Sequence, residues 1–292
     1  MNHPAELALH QYLRSSIEGK STMSQDIIDK IKDDIGAALD KQFNSVEEKR
    51  EFKLRMSNVG RPKCQLWFEK NNPDHQEPLP TSFKINMIFG DMVEALLKGL
   101  LRASGTEFGD NEKVTLSLND KDEVSGEYDM LLDGKIDDVK SASTWSYENK
   151  FVDFYTLEKG DSFGYVPQLV GYAAAANKKV GGWWVVNKNN GSFKYISAAE
   201  VDKDRVLQKI RDVHTYLDSN APFERCFTDE PEVYRGKASG NYKLPKSCTF
   251  CNHKFKCWPE LKSLPSKVYS GKKEPPTVHY TKLRGEYDYS NN

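Results

Sequence analysis

The chain is short of several things. No stretch approaches the roughly eighteen consecutive apolar residues of a membrane span, and its opening MNHPAELALH lacks the basic-then-apolar layout of a secretory signal. A cytoplasmic protein with no membrane partner is the expectation. Net charge is nearly absent, with 42 Lys and Arg against 43 Asp and Glu. No global positive field announces a nucleic acid, although a local basic groove would be invisible in that sum. GxGxxG and GxxxxGKS/T are missing, which removes the usual support for nucleotide binding. No internal repeat is present. Five cysteines in 292 residues argue against a disulfide framework. With 29% charged and 11% aromatic residues the chain is globular rather than disordered. Its length allows one large domain or two smaller ones.

What the chain does have is concentrated at residues 126–140, GEYDMLLDGKIDDVK. Met130, Leu131 and Leu132 form an apolar run, Asp133-Gly134 is a strong hairpin signal, and Ile136 and Val139 continue a second strand. Side chains alternate along a strand, so Asp138 and Lys140 share one face and Val139 takes the other. Asp129 stands opposite. Two carboxylates and an amine so placed suit a divalent cation and an attacking water; a solvated hairpin is the other reading. Asp137 is a rival ligand that alternation points away.

Around this hairpin the pattern alternates between helix and strand. Ile27, Ile28, Ile31, Ile35 and Leu39 recur at helical spacing, and Ser45 with Glu48 resembles a capping box. Residues 59–80 break the helical pattern with prolines and asparagines. From Thr81 a helix carries Ile85, Ile88, Phe89, Met92, Val93, Leu96, Leu97 and Leu100 as an expected broad buried stripe, with Gly105 as its C-cap. Glu94 interrupts that helix, at its wet margin or aimed into a site, and Asp91 and Glu127 read as solvated bystanders. VTLSL at 114–118 is a strand. A helix over about 164–176 sets Gln168 and Tyr172 on one face. Residues 181–196 form a hairpin turning at Asn190-Gly191, and 198–218 return to helix. The expected fold is α/β, a mixed central sheet flanked by helices. The expected boundaries are an N-terminal helical region over 1–60, a core over 61–264, and an irregular tail over 265–292.

Cys248-x2-Cys251-x5-Cys257 has metal-ligand spacing. A fourth ligand must come from elsewhere: Cys64, Cys226, or His253 if the metal is zinc. Thiolate spacing alone does not separate zinc from iron–sulfur, and three unligated buried cysteines are the bland alternative.

Phosphodiester hydrolysis at neutral pH needs an activated water, charge neutralisation and a stabilised leaving oxygen, all of which Mg²⁺ or Mn²⁺ supplies through oxygen ligands. Gly90-x3-Glu94, Gly126-x2-Asp129, Asp138-x-Lys140 and Gln168-x3-Tyr172, in that order, resemble the PD-(D/E)xK nuclease superfamily. The likeness is to its RecB-like branch, with the phage exonucleases and the iron–sulfur nucleases of CRISPR adaptation. The resemblance implies a restriction-endonuclease-like core. It implies Glu94, Asp129, Asp138 and the Val139 carbonyl as metal ligands and Lys140 as the lysine that orients or deprotonates the water. Gln168 and Tyr172 then contact the substrate strand. It also selects Cys64 as the fourth ligand beside Cys248, Cys251 and Cys257, around a [4Fe-4S] cluster (zinc being the alternative), and leaves Cys226 as a free thiol. Two departures stand: Asp138 replaces a commoner Glu, and Glu94 occupies a helix position often filled by His.

The function that the resemblance implies is a metal-dependent DNA exonuclease of phage type, in recombination or DNA processing. Its partners would be linear DNA ends, single-stranded segments included, and a second copy or a recombination protein. Trp145, Tyr147, Phe163 and Tyr165 are candidates to stack on unpaired bases, and Lys150 and Lys159 to meet phosphates. The competing class is a non-catalytic DNA-binding or assembly module stapled by zinc or an iron–sulfur cluster. A nuclease acting mainly on RNA is the third.

Overall fold

A computed structural model of the chain describes residues 3–44, 52–73, 80–266 and 274–284. The Ser45 and Glu48 capping box lies outside them. The chain divides into two compact units, Met1–Arg61 with Pro80–Thr215, and Pro62–Leu79 with Tyr216–Asn292. The cysteine segment therefore joins a unit with Cys64 instead of closing a single 61–264 core.

The first unit is mixed α/β. In its four-stranded sheet, β4 (Lys135–Ala142) pairs antiparallel with β3 (Met130–Leu132) and parallel with β5 (Lys179–Asn187), and β6 (Phe193–Ser197) pairs antiparallel with β5. A parallel pair requires a crossover. Here it carries α5 (Thr144–Asn149), α6 (Phe154–Lys159) and α7 (Tyr165–Ala175). Each of the three is capped by a side chain upstream: Ser143 accepts from Ser146 N, Asp153 from Thr156 N, and Asp161 from the Gly164, Tyr165 and Val166 amides. Asp133 and Gly134 both have positive φ, 50° and 73°, which gives the β3–β4 turn the twist a two-residue hairpin needs. A separate hairpin, β1 (Glu112–Ser117) with β2 (Glu123–Tyr128), precedes the sheet and packs against α7.

Val139, Met130, Leu132 and Trp184 bury against Leu97 and Leu101 of α4 (Thr81–Ala103) and Ala5 and Leu9 of α1 (Pro4–Ile17). This side of the sheet is the dry one. The broad α4 stripe is only half right. Ile85, Phe89, Met92 and Leu96 are exposed, whereas Ala95, Leu97, Lys98, Gly99 and Leu101 are buried. The buried face follows the smallest residues: α2 (Gln25–Phe43) comes so close at Gly99 that a Cβ there would meet Ile31 Cδ1 at 2.3 Å.

Between Ile136 and Asp138 the β4–β5 register slips by one residue, with Ile136 opposite Val180 and Asp138 opposite Trp183. The extra residue is in the Gly181-Gly182 pair of β5, a β-bulge of the kind found beside active sites. Asp137 fills the space that it opens. Its carboxylate accepts hydrogen bonds from Gly182 N (2.7 Å), Trp184 Nε1 (3.1 Å) and the Tyr195 hydroxyl (3.0 Å).

The second unit contains α3 (Lys63–Asn71) and an antiparallel sheet in the order β7 (Glu230–Tyr234), β8 (Lys237–Lys243), β10 (Thr277–Lys282), β9 (Lys262–Pro265). β10 corrects the expectation of an irregular arm throughout 265–292. Its Tyr280 is buried and donates to Glu232 of β7, which also accepts from Ser239 and Asn241. Among the described residues no helix is long and apolar enough to cross a membrane.

Candidate functional site

Asp129 sits in the break between β2 and β3, where a single strand was expected. Its Oδ2 accepts the Val139 N–H at 2.7 Å, which ties the break to the middle of β4. On the opposite face of β4 from Val139, Asp138 is 2% exposed and its Oδ2 lies 2.6 Å from Lys140 Nζ. The contact is an ion pair without hydrogen-bond alignment, so that oxygen has no aligned donor. Lys140 Nζ donates to Gln168 Oε1 at 3.4 Å, and Gln168 Nε2 donates to the Tyr172 hydroxyl at 3.1 Å. Asp138, Lys140, Gln168 and Tyr172 thus form one polar chain from β4 to α7. Gly126 earns its place sterically: a Cβ there would meet Tyr172 Cε1 at 2.7 Å and Met56 Cβ at 2.5 Å. Gly90 does not, since a Cβ there meets nothing nearer than Ser141 Oγ at 3.9 Å.

Glu94 reaches the same field from α4. Burial, then the Asp129 charge, pushes its carboxyl up to about 7, against the pull of Lys98. Burial pushes Asp138 up to about 7 as well; the Lys140 charge opposes this and Asp129 adds to it. Asp129 is raised by burial, with Lys140 and the Val139 amide opposing. For Lys140, burial favours the neutral amine, but Asp138 and Asp129 outweigh it and raise the pKa. Its neighbouring carboxylates thus favour the ammonium form. Burial, then Asp138, lifts the Tyr172 phenol to about 12. Asp129 raises both Glu94 and Asp138, and Asp138 also raises Glu94; carboxylates that repel in this way are chemically suited to a hard divalent cation. As they stand, no three His, Cys, Asp or Glu side chains among the described residues converge closely enough to hold one ion; the nearest charge to Asp138 is Lys140.

Lys98 was not anticipated. It is buried, 3.3 Å from Glu94 Oε1 and 3.8 Å from Asp110 Oδ1, and within 3.5 Å of Asn111 Oδ1. Its position four residues after Glu94 on one helix was the available signal. With Glu94, Asp129, Lys41, Asp91 and Glu127 it lines a cleft of about 290 Å³. Asp91, half-buried, accepts from Gln42, whereas Glu127 is exposed as expected and accepts from Asn111. Asp137 is excluded as a rival by its three donors in the bulge.

In the second unit, Cys64 from α3 and Cys248, Cys251 and Cys257 line one small hollow of about 20 Å³, together with His253 and Phe68. All five cysteines are free of disulfides. His253 is buried, stacks on Phe68 at 5.3 Å, and its Nδ1 has no hydrogen-bond partner. Arg225 donates to the Cys257 carbonyl and lies 3.8 Å over the Trp258 ring. Cys226 is not remote from this group. Its Sγ accepts the Cys64 backbone N–H at 3.0 Å. The side-chain contact between the two thiols, more than this amide, lowers the Cys226 thiol to about 7, and the same thiol contact together with burial raises Cys64. Four thiols around one hollow beside an orphaned imidazole nitrogen supply the donor types of a thiolate-bound metal centre, and as they stand no three of them converge closely enough to hold an ion.

No protein-family model matches the chain, and no curated protein matches it. It is similar, at 11% identity, to SSO0001, known from a crystal structure. The likeness covers 80% of this chain and 96% of that one with a TM-score of 0.40, too low to carry an argument.

Proposed function

We propose that the chain is a divalent-metal-dependent deoxyribonuclease of the PD-(D/E)xK type, acting as an exonuclease on linear DNA ends in recombination or DNA processing. The finer fold reading, a restriction-endonuclease-like core, belongs to this proposal. The observation that carries it is the polar chain Asp138–Lys140–Gln168–Tyr172, set beside Asp129 and within the field of Glu94. Asp138, Lys140, Gln168 and Tyr172 are linked side chain to side chain and Asp129 is tied to Val139 between them, which supports this reading over that of a solvated hairpin.

Glu94, Asp129, Asp138 and the Val139 carbonyl would hold the cation, whose chemistry when bound is to activate water and neutralise charge on the phosphate. The protein's own groups do the rest. Lys140, kept charged by Asp138 and Asp129, places positive charge beside the phosphate and positions the attacking water. Gln168 fixes the Lys140 ammonium, and the Tyr172 phenol, protonated at neutral pH, keeps Gln168 oriented toward the substrate strand. Cys64, Cys248, Cys251 and Cys257 would hold a [4Fe-4S] cluster that shapes the second unit; zinc is the alternative with the same donor set.

The test is degradation of end-labelled linear DNA by anaerobically purified protein in Mg²⁺ or Mn²⁺, with EDTA and circular DNA as controls. Metal-dependent loss of linear DNA, abolished by Asp129→Ala and Lys140→Ala, is expected. A folded wild type that binds DNA and never cuts it would instead be the non-catalytic module.

A further inference from the structure

Phe163 is 55% exposed at the end of the segment that leads into α7. Its ring is nearly parallel to that of Tyr165 (13°, centroids 5.8 Å apart), and Tyr165 is stacked in turn with the buried Phe151 (28°, 5.6 Å). Lys150 Nζ caps this row, 4.6 Å from the Phe163 centroid and 4.4 Å from that of Tyr165. The row ends at the polar chain, because Lys140 Nζ lies 5.2 Å from the Tyr165 centroid. A surface ring, an ammonium and the site lysine are therefore linked through one tyrosine. Trp145 and Tyr155 are equally exposed; Phe163 differs because its neighbour Tyr165 touches Lys140.

We propose that Phe163 and Tyr165, with Lys150, form a stacking subsite that holds one unpaired nucleobase of a DNA strand whose backbone passes Lys140. This rests on the nuclease reading and assigns the site a specific grip on the strand. The chemistry is selective in three ways. Bases inside a duplex are already stacked on each other, so a protein ring can take only a base that is frayed, terminal or single-stranded. Every base has a π-face, so the subsite tolerates sequence. The Lys150 ammonium supplies the charge that a neighbouring phosphate requires, and it sits over the same two rings that would hold the base. Rigidity comes from below: Phe151 is buried, and Asp161 holds the Tyr165 amide at 2.9 Å.

The experiment is fluorescence binding of the full chain, in EDTA to prevent turnover, to oligothymidylate carrying 2-aminopurine at one end. The same label placed within a blunt duplex is the comparison. The wild type is expected to quench the single-stranded terminal label and leave the duplex label unchanged. Phe163→Ala should weaken single-strand binding by about 5- to 150-fold, the worth of one base–aromatic stack, and abolish the quench, while Phe163→Trp keeps both. Circular dichroism of the variants is the folding control, expected to match the wild type because Phe163 is exposed. Wild-type affinity and quench in Phe163→Ala would overturn the subsite, whatever the cleavage assay gives. Phe163-dependent quenching in a wild type that fails to cut DNA in Mg²⁺ or Mn²⁺ would sink the nuclease reading and leave the subsite standing. Failure of the wild type to bind either DNA would refute both.

Discussion

The Gly181-Gly182 bulge is the most stringent test of how the fold sets up the site. Gly181→Ala would place a methyl 1.9 Å from Asp137 Oδ1 and 2.7 Å from the Ile136 carbonyl oxygen. Neither atom is free to retreat. Asp137 is 1% exposed and held by three donors, and the Ile136 carbonyl is backbone. Overpacking a core position costs about 1–3 kcal/mol, and losing a hydrogen bond to a charged group costs about 1.5–3 kcal/mol. Together they predict a loss of roughly 2.5–6 kcal/mol, a large share of an ordinary domain's stability. With a urea dependence of about 2 kcal/mol per M, the unfolding midpoint followed by far-UV circular dichroism should fall by roughly 1–3 M. The cause is checked by a double-mutant cycle. In an Asp137→Ala background the obstructing carboxylate is gone, and Gly181→Ala should cost at least about 1.5 kcal/mol less than in the wild type. A change within about 0.5 kcal/mol of wild type, or strict additivity with Asp137→Ala, would refute the reasoning.

Other consequences follow from the same structure. Burial pushes the Glu232 carboxyl up, but its donors Tyr280, Asn241 and Ser239 outweigh this and hold it below the usual range. A depressed folded pKa contributes stability above the unfolded value of 4.5 and loses it as pH falls through the lower folded value. Thermal melts should therefore show Glu232→Gln less stable than wild type at neutral pH, with the gap closing as pH drops below about 4; a gap that persists at pH 3 would contradict the assignment. Gly126→Ala should displace Tyr172 and cost about 1–3 kcal/mol, and it should impair DNA cleavage by more than its melting temperature accounts for; unchanged cleavage at unchanged stability would be inconsistent with that. Anaerobically purified wild type should carry iron–sulfur absorbance that Cys64→Ser abolishes and Cys226→Ser retains. The reverse pattern would make Cys226 the fourth ligand.

What the sequence disclosed is what short-range rules govern. Asp133-Gly134 announced the hairpin because only residues that tolerate positive φ turn that tightly. Strand alternation then put Asp138 beside Lys140, now seen 2.6 Å apart, and turned Asp137 away. The same alternation said nothing of where Asp137 would go. Its pocket depends on Gly181 of a strand more than forty residues later, a non-local event; its local trace, two glycines at the start of an apolar strand, reads only as the start of a hairpin. Periodicity overstated the buried face of α4 because Ile85, Phe89, Met92 and Leu96 are apolar without being covered, and Gly99, the true contact, adds nothing to an apolar stripe. The sheet of the second unit escaped notice because β8, KASGNYK, and β10, TVHYTK, are short and largely polar, and the Tyr280 to Glu232 hydrogen bond that links β10 to β7 spans 48 positions. The cysteine spacing was readable, but the approach of Cys226 to the Cys64 amide was not, since the two are 162 positions apart.

The measurement that bears most directly on function is single-turnover cleavage of end-labelled linear DNA by Asp138→Asn, run beside its DNA affinity in EDTA. The nuclease reading predicts that the variant binds DNA as the wild type does and leaves it intact in Mg²⁺ and Mn²⁺, while the wild type degrades it. Cleavage by Asp138→Asn at the wild-type rate, or intact DNA with a folded, DNA-bound wild type in both metals, would contradict it.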